Sequence, residues 1–201
     1  MNDILQQLHQ IDKDITLAIN SAHCNMSDFV WQALSHEATW AVLYVIVALF
    51  LFRNLGWKRA LISIAAIGLT ILVCDQFSNF TKDYFERLRP CWDKDMVSKG
   101  LVILEGKGGR YGFFSAHAAN ALGFAICSSV AFRSDRRRRY RIYGALIILW
   151  AVSVGMSRVF VGKHFFGDVM TGLVIGLAAG YVFGRAARYI MKRSGLEPVL
   201  K

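Results

Sequence analysis

The run FFGDVMTGLVIGLAAGYVF, Phe165–Phe183, is almost wholly apolar and carries one carboxylate, Asp168, near its start. It meets the length of about 20 mostly apolar residues that a helix needs to cross a bilayer. Arg185, Arg188, Lys192 and Arg193 follow it closely. Working outward, four more segments read the same way. They are Thr39–Phe52 with an upstream extension from Phe29, Ala60–Phe80, Phe113–Phe132 and the shorter Ile142–Met156. The chain is therefore expected to be all-α, a polytopic membrane helical bundle of about five transmembrane helices. Composition agrees: of 201 residues, 55% are hydrophobic and only 19% charged, unlike an ordinary soluble domain. Only 2 prolines and 4 cysteines exclude a low-complexity chain and a disulfide scaffold.

The first residues differ. Ile4, Leu8, Ile11, Ile15 and Ile19 recur at spacings of four and three, one apolar stripe on a helix. There is no basic start and no continuous apolar core, so the stretch resembles neither a signal peptide nor a transit peptide. Residues 1–28 read as an amphipathic interfacial segment, and 29–201 as a single membrane-embedded domain. The alternative for the first segment is a helix packed on the protein's own outer face.

The net charge of +10 raises the possibility of nucleic acid, and its placement argues against it. Arg53, Lys58 and Arg59 lie between the first two spans. Arg133, Arg136–Arg139 and Arg141 lie between the third and fourth, and Arg185, Arg188, Lys192, Arg193 and Lys201 follow the fifth. One side of the membrane thus receives about +12 and the other about −2. Short basic loops stay in the cytoplasm. The expected arrangement is a multi-pass protein of the cytoplasmic membrane with its C-terminus cytoplasmic, its N-terminus outside, and no nucleic-acid partner. The basic run is a stop at a membrane face and a contact for anionic head groups. Cys24 and Cys91 fall outside the spans, and pairing between them stays open.

Three polar clusters sit at the outer ends of spans, where charge is costly and suggests function. In KDYFERLRP, Lys82 and Arg89 are seven apart and are expected to share a helix face, with Asp75 and Asn79 extending the stripe inward and Pro90 ending the helix. Two such cations make an anion clamp; the alternative is a snorkelling pair at the membrane edge. In GGRYGFFSAH, Gly108–His117, a glycine-rich loop enters a helix whose first amides favour anions, with Ser115, Ala116 and His117 at that end. The alternative is a capped turn. In SRVFVGKHFFGD, Ser157–Asp168, His164 and Asp168 are four apart and are expected to face the same way on a helix. A carboxylate on one ring nitrogen fixes the tautomer and leaves the other as a nucleophile. Arg158 precedes them. Carboxylates are too few here for a dinuclear metal phosphatase.

Lys82–Pro90 matches K-x6-R-P, Phe114–His117 is a degenerate P-S-G-H, and Ser157–Asp168 matches S-R-x5-H-x3-D. In this order the chain resembles the type 2 phosphatidic acid phosphatase family, membrane relatives of the vanadium haloperoxidases. The resemblance covers about Asp75–Phe183 and departs from the pattern at Phe114 and Ala116. It implies a metal-independent lipid phosphatase without cofactor. His164 would be the nucleophile forming a phosphohistidine, Asp168 its orienting partner, and His117 the general acid and then base. Lys82, Arg89, Ser115, Ala116 and Arg158 would bind the substrate phosphate. The implied substrate is a membrane lipid phosphate of the undecaprenyl diphosphate, phosphatidylglycerophosphate, phosphatidate or lipid A type, met on the outer face. Two alternatives are a phosphotransferase using the same phosphohistidine and a non-catalytic phospholipid-binding membrane protein. Oligomeric state is not legible.

Overall fold

The computed structural model describes residues 2–135 and 140–196, so Arg136–Arg139, Glu197 and Lys201, counted above in the cytoplasmic charge, lie outside the described residues. The described residues form eight α-helices: α1 (Asn2–Asn20), α2 (Asn25–Ser35), α3 (Ala38–Leu55), α4 (Trp57–Phe85), α5 (Lys94–Ser98), α6 (Ala116–Phe132), α7 (Arg141–Phe160) and α8 (Phe166–Arg193). A short 3-10 turn covers Pro90–Trp92, and a single antiparallel bridge joins Leu88 to Tyr111. The architecture is the expected helical bundle.

Four helices, α3, α4, α7 and α8, are long and apolar enough to cross a membrane. The fifth expected span is shorter than foreseen: α6 has 17 residues. At 1.5 Å per residue that is about 25 Å, less than the hydrocarbon thickness of about 30 Å. It starts at Ala116 instead of Phe113 because Ser115 holds an extended conformation and caps it. Most of α6 is buried, packed against α4, α7 and α8, so protein satisfies the non-helical backbone at its ends. The upstream extension from Phe29 is also separate. It belongs to α2, which ends at the extended residue His36. Helix α2 lies along α7, with the Trp31 ring stacked 4.2 Å from that of Phe160. The division expected at residue 28 falls inside this helix.

Helices α6 and α8 form the centre of the bundle because small residues let their backbones touch. Gly172, Gly176, Gly180 and Gly184 recur once per turn along α8. A Cβ on Gly176 would lie 2.3 Å from the carbonyl oxygen of Ala119 on α6. Such close approach replaces the hydrophobic drive that lipid cannot supply. It also brings the first turns of α6 and α8 together, and the Ser115 N–H donates to the Asp168 carbonyl at 3.0 Å. Gly176→Val is expected to lower stability by about 3 kcal/mol, since the branched side chain must force two backbones apart. Thermal unfolding in detergent measures this; a melting profile equal to the wild type would show that the contact carries no such load.

Helix α1 packs where α7 ends and α8 begins. Its stripe of Ile4, Leu8, Ile11 and Ile15 points away from the protein, between 38% and 64% exposed. Its polar side is docked. Asn20 is buried, accepts from the Val102 N–H at 2.8 Å and has its Nδ2 within 3.1 Å of the Val102, Val159 and Phe160 carbonyls. Lys13 pairs with Asp93 at 2.7 Å. Amphipathicity thus runs opposite to that of a helix in a soluble core.

Candidate active site

The three polar clusters converge at one end of the bundle, where α4 ends and α6 and α8 begin, although not by the geometry expected from spacing. Helix α4 stops at Phe85, five residues before Pro90, where Glu86 adopts a left-handed conformation with φ 46°. Lys82 and Arg89 therefore do not share a helix face. The chain instead turns and pairs with the glycine-rich loop: the Arg89 N–H donates to the Arg110 carbonyl at 3.0 Å and the Gly112 N–H to the Arg87 carbonyl at 2.9 Å. Arg89 Nε donates to the Tyr111 carbonyl at 3.0 Å, which fixes the guanidinium. Lys82 lies in the field of Arg89 and Arg158.

His164 and Asp168 meet, but not along one helix. His164 lies in the turn between α7 and α8, ahead of Phe165, the cap of α8. Its Nδ1 is 3.6 Å from Asp168 Oδ2, and that same oxygen accepts from the Phe165 N–H at 3.1 Å. His164 is only 2% exposed, and Asp168 is fully enclosed. Burial is the main cause that holds the His164 imidazole well below its ordinary pKa; Arg158, Arg89 and Lys82 act in the same direction. That shift favours the neutral ring, the form in which an imidazole can act as a nucleophile.

His117, in the first turn of α6, shares this field: Arg158, His164, Lys82 and Arg89 all act on it. Its Nε2 is 3.2 Å from Glu37 Oε1, and its ring meets Trp40 edge-on at 5.3 Å. Ser115 is buried as the cap of α6, its Oγ accepting from the Ala118 N–H at 3.4 Å. Ala116 begins the helix behind it. Arg158, 6% exposed, donates to the carbonyl of Ser35 at 3.3 Å and to its hydroxyl, and lies 3.6 Å from Glu105.

Several residues of this region were not singled out by the sequence. Lys163 is buried beside His164, donates to the Gly106 carbonyl, and has a lowered pKa caused by burial and then by Arg158. Its place next to His164 was the available signal. Arg87 lies inside the first motif and reaches Asp168 Oδ1 at 2.5 Å. Glu37, Ser35 and Asp12 come from distant segments and carry no sequence signal. Cys24 and Cys91 are both free thiols, which answers the pairing question. Among the described residues no group of three or more His, Cys, Asp or Glu is placed to hold a metal ion.

Lys82, Arg89 and Arg158 act on two imidazoles, of which His164 faces a buried carboxylate and His117 an exposed one. Cationic side chains and first-turn amides stabilise the charge on a phosphoryl group in transfer. Comparison with known proteins agrees with this chemistry. The chain is 33% identical over 182 residues to a lipid A 4'-phosphatase of Bacteroides thetaiotaomicron, covering 90% of this chain and 78% of the relative. It is 28% identical over 190 residues to a lipid A 4'-phosphatase of Porphyromonas gingivalis, covering 94% and 78%. The crystal structure of a transmembrane PAP2-type phosphatidylglycerolphosphate phosphatase from Bacillus subtilis superposes with a TM-score of 0.70 at 20% identity, over 93% of this chain and 89% of that one, and so shares the fold of this multi-pass membrane protein. The sequence profile of the PAP2 superfamily matches residues 59–192, which hold all three motifs, and the chain belongs to that superfamily.

Proposed function

We propose that this chain, a lipid phosphatase by its family and relatives, removes a phosphate from a lipid A-type glycolipid at the outer face of the cytoplasmic membrane through a phosphohistidine. The observation that carries the reading is the convergence of Lys82, Arg89 and Arg158 on a buried, neutral His164 with Asp168 at its Nδ1. The choice of glycolipid rests on the two bacterial relatives named above. The helix directions support the outer face, since Arg53, Arg133, Arg141 and Arg193 lie at the opposite ends of their helices.

With Nδ1 directed at Asp168, His164 Nε2 is the nitrogen that attacks phosphorus. The N–P bond forms as the bond from phosphorus to the lipid oxygen breaks, and His117 gives its proton to the departing oxygen. Lys82, Arg89 and Arg158 hold the phosphoryl oxygens, and Ser115 and Ala116 present the start of α6 to them. Water then attacks the phosphohistidine while His117 takes its proton. The N–P bond breaks, inorganic phosphate leaves, and His164 returns to its neutral form. Helix α1 lies in the plane of the outer leaflet as an interfacial segment, with its apolar stripe toward lipid and its polar side docked on α7 and α8.

The testing experiment is phosphate release by purified protein from lipid A bearing a 4'-phosphate, undecaprenyl diphosphate, phosphatidylglycerophosphate and phosphatidate. Release from the first in preference to the others is expected; preference for another lipid overturns the substrate assignment, and release from none overturns the hydrolase reading. Orthovanadate, a mimic of the five-coordinate transition state, is expected to inhibit at least about 100-fold more tightly than phosphate. EDTA is expected to change the rate by less than about twofold, because no step uses a metal. A chelator-induced loss that a divalent cation restores would contradict the mechanism.

A further inference from the structure

The start of α8 is completed by α1. Phe165, the cap, offers no side-chain acceptor, yet the first amides of α8 are satisfied. The Phe166 N–H donates to Thr16 Oγ1 at 2.9 Å, and the Gly167 N–H to Asp12 Oδ1 at 2.7 Å. Glycine at 167 leaves room for this contact, since a Cβ there would lie 2.8 Å from Asp12 Oδ2. That second oxygen of Asp12 accepts from Arg87 Nη2 at 2.6 Å, and Arg87 Nη1 donates to Asp168 Oδ1 at 2.5 Å. Arg87 also lies over the Phe165 ring at 4.4 Å, and its Nη2 is 3.3 Å from His9 Nδ1. A continuous line thus runs from α1 through Arg87 to the carboxylate that faces His164.

Asp168 is fully buried, and a buried carboxylate stays ionised only with a paired charge and hydrogen bonds. Arg87 supplies the paired guanidinium, hydrogen-bonded to Oδ1. Arg89 acts on Asp168 through its field alone, whereas Arg87 is hydrogen-bonded to it. Asp12 fixes the other arm of the same planar fork, so Arg87 is held between two carboxylates and cannot swing toward the phosphate site.

We infer that Arg87 and Asp12 are positioning residues of the active site, and that α1 sets the charge and orientation of Asp168 from outside the motif-bearing helices. The inference rests on the hydrolase reading above. Arg87 touches neither substrate nor reacting atoms; it acts through Asp168. Its removal therefore lowers turnover and leaves substrate binding largely intact.

The test uses the purified full chain in detergent micelles with lipid A 4'-phosphate as substrate. Wild type is compared with Arg87→Gln, Arg87→Lys, Asp12→Asn and the Arg87→Gln, Asp12→Asn double variant. From the usual effect of groups that orient a reacting side chain, kcat is expected to fall about 30-fold in Arg87→Gln and about fivefold in Asp12→Asn, with KM within about twofold. Because both lie on one line, the double variant should be no slower than Arg87→Gln, and Arg87→Lys should recover part of the rate. Unchanged kcat in Arg87→Gln, a raised KM at constant kcat, or losses that multiply in the double variant would each overturn the inference. If Arg87→Gln does not fold, Arg87→Lys and Asp12→Asn carry the same comparison. A wild-type protein that is inactive on every lipid phosphate overturns the hydrolase reading, and this inference with it. An active wild type with undiminished variants overturns this inference alone.

Discussion

Replacing His164 with alanine is expected to abolish phosphate release, a fall of about 10^6-fold in kcat, the scale seen when a nucleophile is removed. Among the groups gathered here, His117 is the other imidazole, and it contacts Glu37 in place of Asp168. It therefore lacks the buried carboxylate that would orient it for attack. The alanine variant should remain folded, because His164 sits in the turn between α7 and α8, outside the helices themselves. Two measurements check this: phosphate release, and acid-stable or acid-labile phosphate retained on quenched enzyme, which should be acid-labile and absent from the variant. Turnover near the wild-type rate in His164→Ala would place the nucleophile elsewhere. The pH profile has a defined sign. A lowered pKa keeps the imidazole neutral as pH falls, so the acid limb of kcat/KM should lie below the ordinary imidazole range. Burial is the leading cause of that shift, with Arg158, Arg89 and Lys82 behind it, so adding salt should move the limb little.

Asp168→Asn is expected to lower kcat by about 10^3- to 10^4-fold with KM within a few-fold, as for other carboxylates that orient a catalytic imidazole. Asparagine has the same shape but one acceptor oxygen; turned toward the Phe165 N–H it preserves the cap of α8 and gives up the bond from Arg87. It also loses the charge. The neutral amide no longer selects the tautomer with a proton on Nδ1, nor stabilises positive charge on the ring as the N–P bond forms. Steady-state kinetics and a thermal melt separate two roles that the structure combines. Asp168 is both the partner of His164 and a capping residue at the third position of α8. If asparagine preserves both the rate and the melt, the carboxylate is only a cap, and the proposed role for Asp168 is wrong.

The fold and the site were legible to different degrees. Spans were visible because lipid offers no hydrogen bonds, so only long apolar helices cross it and the requirement is written locally. Helices α3, α4, α7 and α8 followed that rule. Helix α6 is read less accurately because it is enclosed by protein, which relaxes the length a lipid-facing helix needs. Lys82, Arg89, Arg158, His164 and Asp168 were visible because charge at a membrane boundary needs a reason. Their geometry was read wrongly at two places. Spacing of seven implies one helix face only while the helix lasts, and the left-handed Glu86 ends α4 between Lys82 and Arg89. Spacing of four likewise described His164 and Asp168 as if both were helical. They meet because Asp168 turns back over the cap of α8 toward the preceding turn.

Asp12 and Glu37 show what no local pattern contains. On its own, Asp12 is one of several polar residues on an amphipathic helix; nothing in its neighbours indicates Arg87, 75 positions away. Glu37 reads as a charge near the start of a span, and its contact with His117 exists only once α3 and α6 are side by side. The sequence by itself determined an all-helical membrane chain, the end of the bundle at which the basic residues collect, and the residue types for phosphoryl transfer. These depend on hydropathy and on charge, which act residue by residue. Tertiary structure decided that α6 and α8 touch backbone to backbone, that the first motif bends back on the glycine-rich loop, and that α1 reaches Asp168 through Arg87. Those outcomes depend on steric fit and on hydrogen bonds between distant segments, which no single stretch of the chain specifies.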